Sequence, residues 1–540
     1  MHLLKLAAFA GLANAFQLPT WIPFVTTSRD SQATFELPSP ESVNRVAVIG
    51  AGAGGSSAAF WISKAKERFP DLDIQVDVFE KSDRVGGRST VVQPYDDPSY
   101  EPVELGASIF VKVNKNLWRA VDEFGLERLN FKDDDDSIGI WDGEQFLLTT
   151  TGGRFGGWWD TVKVLWRYGY RAPTKTQAIV DRMVGKFVSL YSWEFSTPFQ
   201  NLTELVTDLE WKKVVSQTTS EFFDLQGIDR RWTREMVEGA TRVNYGQDVD
   251  QIHALEGLCS LATTGASSVK GGNYQLFEQF VKRSNATLHL NTTVTSISRD
   301  EKNSLWTLRT TNDSSIVEDT RHYRAIILAA PFHQTDIKLS LPSNSTAVIP
   351  QQPYVNLHVT LLSTTSPTAN PGYFGLKEGA GVPGMVLTSN EKGRYGGKEP
   401  EFNSLSYHGK LTKKEGAEAK GEEKEEYVVK IFSKTEVQDG WLKNVFGEVG
   451  WVHRRLFQAY PVLPPTTSFP PIKLDRGLYY VNAFEPLIST METETISSRN
   501  AVQLLLHEIY NAGICKAADD NKAPQHQKEG FVYGWDCEYD

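Results

Sequence analysis

Residues 46–91 read VAVIGAGAGGSSAAFWISKAKERFPDLDIQVDVFEKSDRVGGRSTV. The apolar run at 46–49 is short and ends at glycine, as a buried strand does. Residues 55 to about 68 read as a helix, and 74–79 return to a β-branched apolar run. Strand, helix and strand in that order predict a βαβ unit: two parallel strands joined by a right-handed crossover, the start of an α/β sheet.

The turn between the first strand and the helix is Gly50-Ala51-Gly52-Ala53-Gly54-Gly55, which fits G-x-G-x-x-G. Each glycine has a physical role. Gly50 permits the tight turn, Gly52 lets backbone approach a pyrophosphate, and Gly55 lets the helix close on the strand. A pyrophosphate there would meet the free N–H groups and positive dipole end of the helix. Glu80 ends the second strand, placed to accept hydrogen bonds from ribose hydroxyls, with Lys81 beside it. An acid at that point disfavours a 2′-phosphate, so NADP is not expected.

The next loop, Arg84-Val85-Gly86-Gly87-Arg88-Ser89, resembles the second fingerprint of the flavin amine oxidase and phytoene desaturase superfamily. NAD dehydrogenases do not generally carry it. Glu104-Leu105-Gly106-Ala107-Ser108 resembles that superfamily's next flavin-contacting turn. Gly271–Leu276 and 288–294 resemble its return to the cofactor, where Val294 would offer backbone groups to adenine. Residues 325–331 resemble the strand that closes the sheet. Residues 479–485 and 489–494 resemble the last strand and the helix whose N-terminus faces the flavin, placing Glu485 and Met491 at the cofactor. The superfamily's A-G-D is replaced by Asn482-Ala483-Phe484-Glu485, so the ribityl contacts differ. The resemblance implies an α/β fold: a Rossmann-like FAD-binding domain of glutathione-reductase type, interleaved with a mixed α+β substrate domain.

Five further segments are similar to the prenylcysteine oxidase (prenylcysteine lyase) family: 116–126, 158–169, 241–247, 330–333 and 491–501. The run Arg242-Val243-Asn244-Tyr245-Gly246-Gln247 is the most specific to it. The resemblance runs from about residue 44 to 510. It implies oxidation of the thioether of farnesyl- or geranylgeranyl-cysteine. Hydride leaves the prenyl C1 for FAD, water adds to the sulfur-stabilised cation, and the hemithioacetal collapses to a prenyl aldehyde and cysteine. O₂ then accepts the electrons as H₂O₂. Hydride transfer from a neutral allylic thioether needs no strong base, and no Ser/His/Asp or paired-carboxylate constellation stands out. Asn244, Tyr245, Gln247 and His333 are the candidate substrate-facing residues, each with a structural alternative. No cysteine lies near 485–491, so FAD is expected to be noncovalent. The alternatives are an oxidase of the same architecture acting on an amine or secondary metabolite, and a luminal lipid carrier that has lost turnover.

The interleaving assigns 44–130, 269–340 and 475–515 to the FAD-binding domain. The substrate domain takes 131–268, mostly helical, and 341–474, β-rich with a charged insert at 412–426; 516–540 is a C-terminal tail. Residues 155–250 read as largely helical, 133–136 as a charged turn, and 350–440 alternate like strands. Trp158, Trp159, Val162, Leu165 and Trp166 recur at roughly helical spacing, suited to core packing, a prenyl tunnel or a membrane surface.

The chain has 540 residues, 40% hydrophobic and 23% charged, enough for a large core. Fifty-six Lys and Arg against 67 Asp and Glu give a net charge of −11, which argues against nucleic acid as a partner. Residues 1–15 read as a secretory signal peptide ending in Ala13-Asn14-Ala15, and 16–43 as a leader arm. The expected destination is the vacuole or lysosome lumen, or the medium. Sequons at Asn201, Asn285, Asn291, Asn312 and Asn344 agree with that route. Three cysteines form no disulfide framework. An oxidising lumen would permit one bridge, Cys515 to Cys537, leaving Cys259 free. No metal-ligand spacing and no protein partner are evident.

Overall fold

The computed structural model describes residues 43–130, 137–151, 153–300, 304–312, 315–342, 345–414, 424–516 and 530–537. The signal segment, the leader arm to residue 42, the 133–136 turn, most of the charged insert and Asn344 lie outside them.

The expected βαβ unit is present. Strand Arg45–Ile49 leads into helix Ala53–Arg68 and then strand Gln75–Phe79, with the two strands parallel and in register from Arg45↔Gln75 to Ile49↔Phe79. Four more strands extend this nucleotide sheet. Its order is Lys473–Asp475, Leu478–Tyr480, Ala325–Leu328, Arg45–Ile49, Gln75–Phe79, Thr287–His289. All neighbours run parallel except the Lys473–Asp475 edge pair. Strands covered on both faces need continuous apolar runs rather than alternation, and Ala325–Leu328 is buried at every position.

Helix Met491–Leu505 is buried along almost its whole length and packs on the first helix. Ser57 and Ser498 share a hydrogen bond of 2.7 Å, and Trp61 Nε1 donates to the Thr495 carbonyl at 3.1 Å. Small residues at 54–59 let these two helices approach closely. The C-terminal segment closes this side. Trp535 meets Phe60 with ring centroids 5.0 Å apart, and Arg68 donates to the carbonyls of Ile514, Gly534 and Trp535. Cys515 is disulfide-bonded to Cys537, with Cα atoms 5.2 Å apart.

A second sheet of seven strands carries the substrate side. Its order is Val449–Phe457, Leu357–Thr364, Tyr427–Ser433, Ser404–Lys410, Met385–Thr388, Ile138–Trp141, Phe146–Thr149. Residues 153–260 are mainly helical, as the periodicity predicts. A four-stranded sheet, Ser315–Tyr323, Leu305–Asn312, Thr292–Asp300 and Lys338–Ser340, completes the architecture.

The helix Gly153–Tyr168 departs from the core-packing alternative. Trp158 is 67% exposed, Trp159 61% and Trp166 87%. None of the three lines the large cavity either, so the tunnel alternative also fails. No helix among the described residues is long and apolar enough to cross a membrane.

Candidate active site

A cavity of about 700 Å³ runs from the glycine loops of the nucleotide sheet to the face of the seven-stranded sheet. It falls within the ~300–1,000 Å³ typical of small-molecule sites. Three loops form its nucleotide end. Gly50 has φ +99°, and a Cβ there would lie 2.5 Å from the Ala329 carbonyl oxygen. At Gly55 a Cβ would lie 1.8 Å from the Gly50 oxygen, so helix and turn close on each other only without a side chain. The helix start at Gly52 has no side-chain cap, which leaves its first N–H groups for a ligand.

The second glycine loop is tied to the first, for Gly86 N donates to Ala51 O at 2.9 Å. Glu80 holds both. Its carboxylate accepts from Ala51 N at 2.8 Å, Ser82 N at 2.9 Å and Ser82 Oγ at 2.7 Å. Gly50, Gly52, Ala53, Gly54, Glu80, Lys81, Gly86, Gly87 and Arg88 all line the cavity, as does Val294. Gly55 does not line it, since its part is the packing just described.

The third loop is the 104–108 turn, and Asn273 shapes it. Asn273 N donates to Glu104 Oε1 at 2.6 Å, its Nδ2 donates to Ala107 O at 2.8 Å, and its Oδ1 accepts from Val269 N. The turn thereby holds Ala107 at φ +55°, a left-handed conformation that a residue with a Cβ adopts at a cost. Gly106, Ala107 and Ser108 line the cavity.

The C-terminal contribution differs from expectation in one residue. Met491 lines the cavity at the start of its helix, where Thr490 caps Thr493 N at 3.1 Å. Glu485 does not reach the lining. It is 1% exposed, and its two oxygens accept from Arg88 and from the Tyr354 hydroxyl. Two acids of the following helix line the cavity instead, Glu492 and Glu494, with Asn482 beside the latter, Nδ2 to Oε2 3.4 Å. Burial and the Glu485 charge push the Glu494 carboxyl above its usual range, against the opposing pull of Arg88. The sequence segment that placed Glu485 at the cofactor carried no information on which of the nearby glutamates reach the cavity.

The remaining lining belongs to the substrate side. Asn244 and Tyr245 line the cavity, Asn244 Nδ2 donating to Ser260 O at 3.1 Å and Tyr245 stacking edge-on with Tyr460 at 5.4 Å. Gln247 and His333 do not. Gln247 is spent on the backbone, donating to Tyr245 O and Pro461 O and accepting from Leu463 N. His333 Nε2 donates to Ile349 O at 3.0 Å. Both are structural turn residues. Sequence reading missed Lys430, Ser404, Ser406, His408 and Phe432, which two adjacent strands bring to the cavity wall. The signal was there in Lys430, a lone charge inside the apolar strand Tyr427–Ser433.

The residues fit a flavin dinucleotide. Glycine loops leave room where side chains would clash, an uncapped helix start faces the same space, and four buried polar atoms of cavity-lining residues have no partner among the described residues: Ser89 Oγ, Gln334 Nε2, Asn482 Oδ1 and Glu494 Oε1. Among the described residues no group of His, Cys, Asp and Glu is arranged to hold a metal.

Comparison with known proteins agrees with this geometry. Residues 48–124 match a family described as NAD(P)-binding Rossmann-like domain, and residues 156–519 match the family described as Prenylcysteine lyase. The chain is 30% identical to Farnesylcysteine lyase of Arabidopsis thaliana over 498 residues, 89% of this chain and 91% of that protein. It is 26% identical to Prenylcysteine oxidase 1 of Homo sapiens over 487 residues, 86% and 89% of the two chains. Solved structures with the same fold include a putrescine oxidase triple mutant, TM-score 0.54 at 14% identity. That alignment covers 86% of this chain and 99% of that one. Cyclohexylamine oxidase from Brevibacterium oxydans IH-35A gives 0.52 at 14% identity, with 86% and 99% covered. The chain belongs to the prenylcysteine lyase family.

Proposed function

We propose that this protein is an FAD-dependent thioether oxidase that cleaves S-prenylcysteine to a prenyl aldehyde and cysteine, with O₂ as acceptor. The carrying observation is the single cavity that joins a dinucleotide cradle to an apolar compartment. Bound FAD supplies a hydride acceptor. The chain's own residues do the rest. Phe110, Met183, Phe187, Phe432 and Phe457 give a water-poor wall for a prenyl chain. Asn244 and Tyr245 stand where they can orient the thioether. The helix start at Met491 brings positive dipole density to the cavity, which favours negative charge on a reduced cofactor. Anaerobic addition of S-farnesylcysteine to the purified yellow protein should bleach the flavin bands, and readmitted air should release H₂O₂. Flavin bands that persist would refute the substrate.

Noncovalent attachment is part of the same reading. So is entry to the secretory pathway, supported by residues 1–15 and by a disulfide, which persists in oxidising compartments. Sequons Asn285, Asn291 and Asn312 are exposed, while Asn201 caps helix Leu202–Asp208. The exposed tryptophans of helix Gly153–Tyr168, with Tyr170 71% exposed and Arg171 exposed just beyond, suit the interfacial layer of a lipid surface, which is where a prenylated substrate concentrates.

A further inference from the structure

Lys430 lies midway along the third strand of the seven-stranded sheet and is 6% exposed, yet it lines the cavity. Its Nζ donates to Ser108 Oγ at 2.8 Å and to the Glu104 carbonyl at 2.9 Å. Both acceptors are neutral. The acid that couples to it is the side chain of Glu104, but one oxygen of that carboxyl accepts from Asn273 N, and among the described residues Lys430 forms no ion pair. The ammonium has three donors, and with two spent on neutral oxygens the third is left for an anion in the cavity.

The surroundings are built for such an anion. Strand pairing sets Ser406 opposite Lys430 and Ser404 opposite Phe432, and all four line the cavity. Ser406 Oγ and His408 Nε2 share a hydrogen bond of 3.0 Å. His408 is exposed, whereas Lys430 is 6% exposed, so Lys430 is the buried basic group of this patch. Cavity walls on either side are aromatic. The result is one polar, cationic patch in an apolar compartment, next to the turn that faces the cofactor. The other cation of this end, Arg455, is exposed, over the Phe457 ring at 5.8 Å, and needs no partner beyond water.

We propose that Lys430 receives the α-carboxylate of the cysteine thioether, with Ser406 as an auxiliary donor. The enzyme then selects a free S-prenyl amino acid over its carboxyl ester. This rests on the thioether oxidase reading above. It makes Lys430 a specificity-determining residue rather than a participant in bond making.

The test uses flavin-loaded wild type and the variants Lys430→Met, Lys430→Arg and Arg455→Met, with S-farnesylcysteine and its methyl ester. Wild type should prefer the acid over the ester by roughly 10- to 100-fold in kcat/KM, the effect of one charge-assisted contact. Lys430→Met should abolish that preference, with the loss for the acid carried in KM. Lys430→Arg should restore much of it, and Arg455→Met should keep it. Equilibrium binding of acid and ester to dithionite-reduced protein, followed by tryptophan fluorescence, should show the same loss without turnover. A wild type that treats acid and ester alike overturns the proposal without any variant, as does a folded Lys430→Met that keeps the preference. A flavin-loaded wild type that oxidises neither compound would refute the thioether oxidase reading itself, a different outcome from either of these.

Discussion

Arg88 and Glu485 stand 397 positions apart and form an ion pair that ties the second glycine loop to the turn after the last strand of the nucleotide sheet. Tyr354 donates to the other oxygen of the same carboxylate, and Arg88 Nη1 donates to Ala459 O at 3.1 Å. Both charged residues look like cofactor contacts in sequence. In the structure Glu485 holds Arg88 against the cavity and takes no place in the lining itself.

Removing the carboxylate should therefore act on cofactor retention through Arg88. Glu485→Ala leaves a cation and a buried hydroxyl without their acceptor. The cost should be about 2–4 kcal/mol, less than for a fully buried pair because the Arg88 side chain is 30% exposed. Glu485→Gln keeps shape and an acceptor and should lose less. Chemical denaturation gives the stability, and the ratio of flavin to protein absorbance gives the retention. A Glu485→Ala protein with wild-type stability and full flavin would show that the pair is incidental.

Acidification should stabilise the protein. Burial pushes the Glu256 carboxyl up to about 8, against the pull of the Ser489 amide and Tyr245. Burial likewise pushes Glu492 to about 7, although Tyr191 and the amides of Leu117 and Asn116 favour its charged form. Both folded values lie above the ordinary glutamate value of about 4.3. Their contribution is complete below that value and is lost as pH rises through 7 and 8, at up to about 1.4 kcal/mol per pH unit for each group. Asp77 acts in the opposite sense: burial raises it, but His289, Arg45 and Tyr323 outweigh burial and leave it lowered, so its effect is confined to strongly acid solution. Tm should climb from pH 8.5 to pH 5, and Glu256→Gln should flatten that slope. A Tm that is level across the range would contradict the burial of these acids.

The nucleotide end was legible in the sequence because its constraints are local. A turn needing φ +99° at Gly50 and a contact only glycine permits at Gly55 leave a mark within six residues. Beyond Asn244 and Tyr245 the substrate end was not legible, because the rest of its chemistry comes from cross-strand pairing. Nothing in the sequence near Ser406 says that Lys430 lies opposite it, or that Ser108 lies within 2.8 Å. Gln247 shows the converse limit. It belongs to the run that resembles the family most specifically, yet its side chain locks a turn onto Pro461 and Leu463. The tryptophans of helix Gly153–Tyr168 mislead for a third reason: apolar spacing marks a face, and only the fold shows whether anything covers it.

Cys259 gives a direct check on the cofactor's attachment. It is the free cysteine, and it lines the cavity, so proximity alone would permit a thioether to the flavin. Burial, with the nearby Glu256 charge, holds its thiol well above the ordinary range, which leaves almost no thiolate to act as nucleophile. Acid precipitation should therefore leave the flavin in the supernatant, and Cys259→Ala should keep its yellow colour. Flavin that stays with the pellet in wild type and is released in Cys259→Ala would show a covalent link.

The exposed tryptophans make the last prediction. Trp158 and Trp159 stack edge-on with ring centroids 4.5 Å apart, and Trp166 lies two turns further along the same helix. Amphipathic rings of this kind gain by leaving water for the boundary between headgroups and acyl chains. Wild-type protein should co-sediment with phospholipid vesicles, with the tryptophan emission shifting to shorter wavelength. The double variant Trp158→Ser and Trp166→Ser should bind several-fold more weakly. Adding anionic lipid should strengthen binding, and salt should reduce that gain, because Arg171 lies just beyond the tryptophans. Its oxidation of S-farnesylcysteine embedded in vesicles should fall further than its oxidation of the same compound in solution. Equal vesicle binding by wild type and the double variant would remove the lipid surface as the partner of this helix.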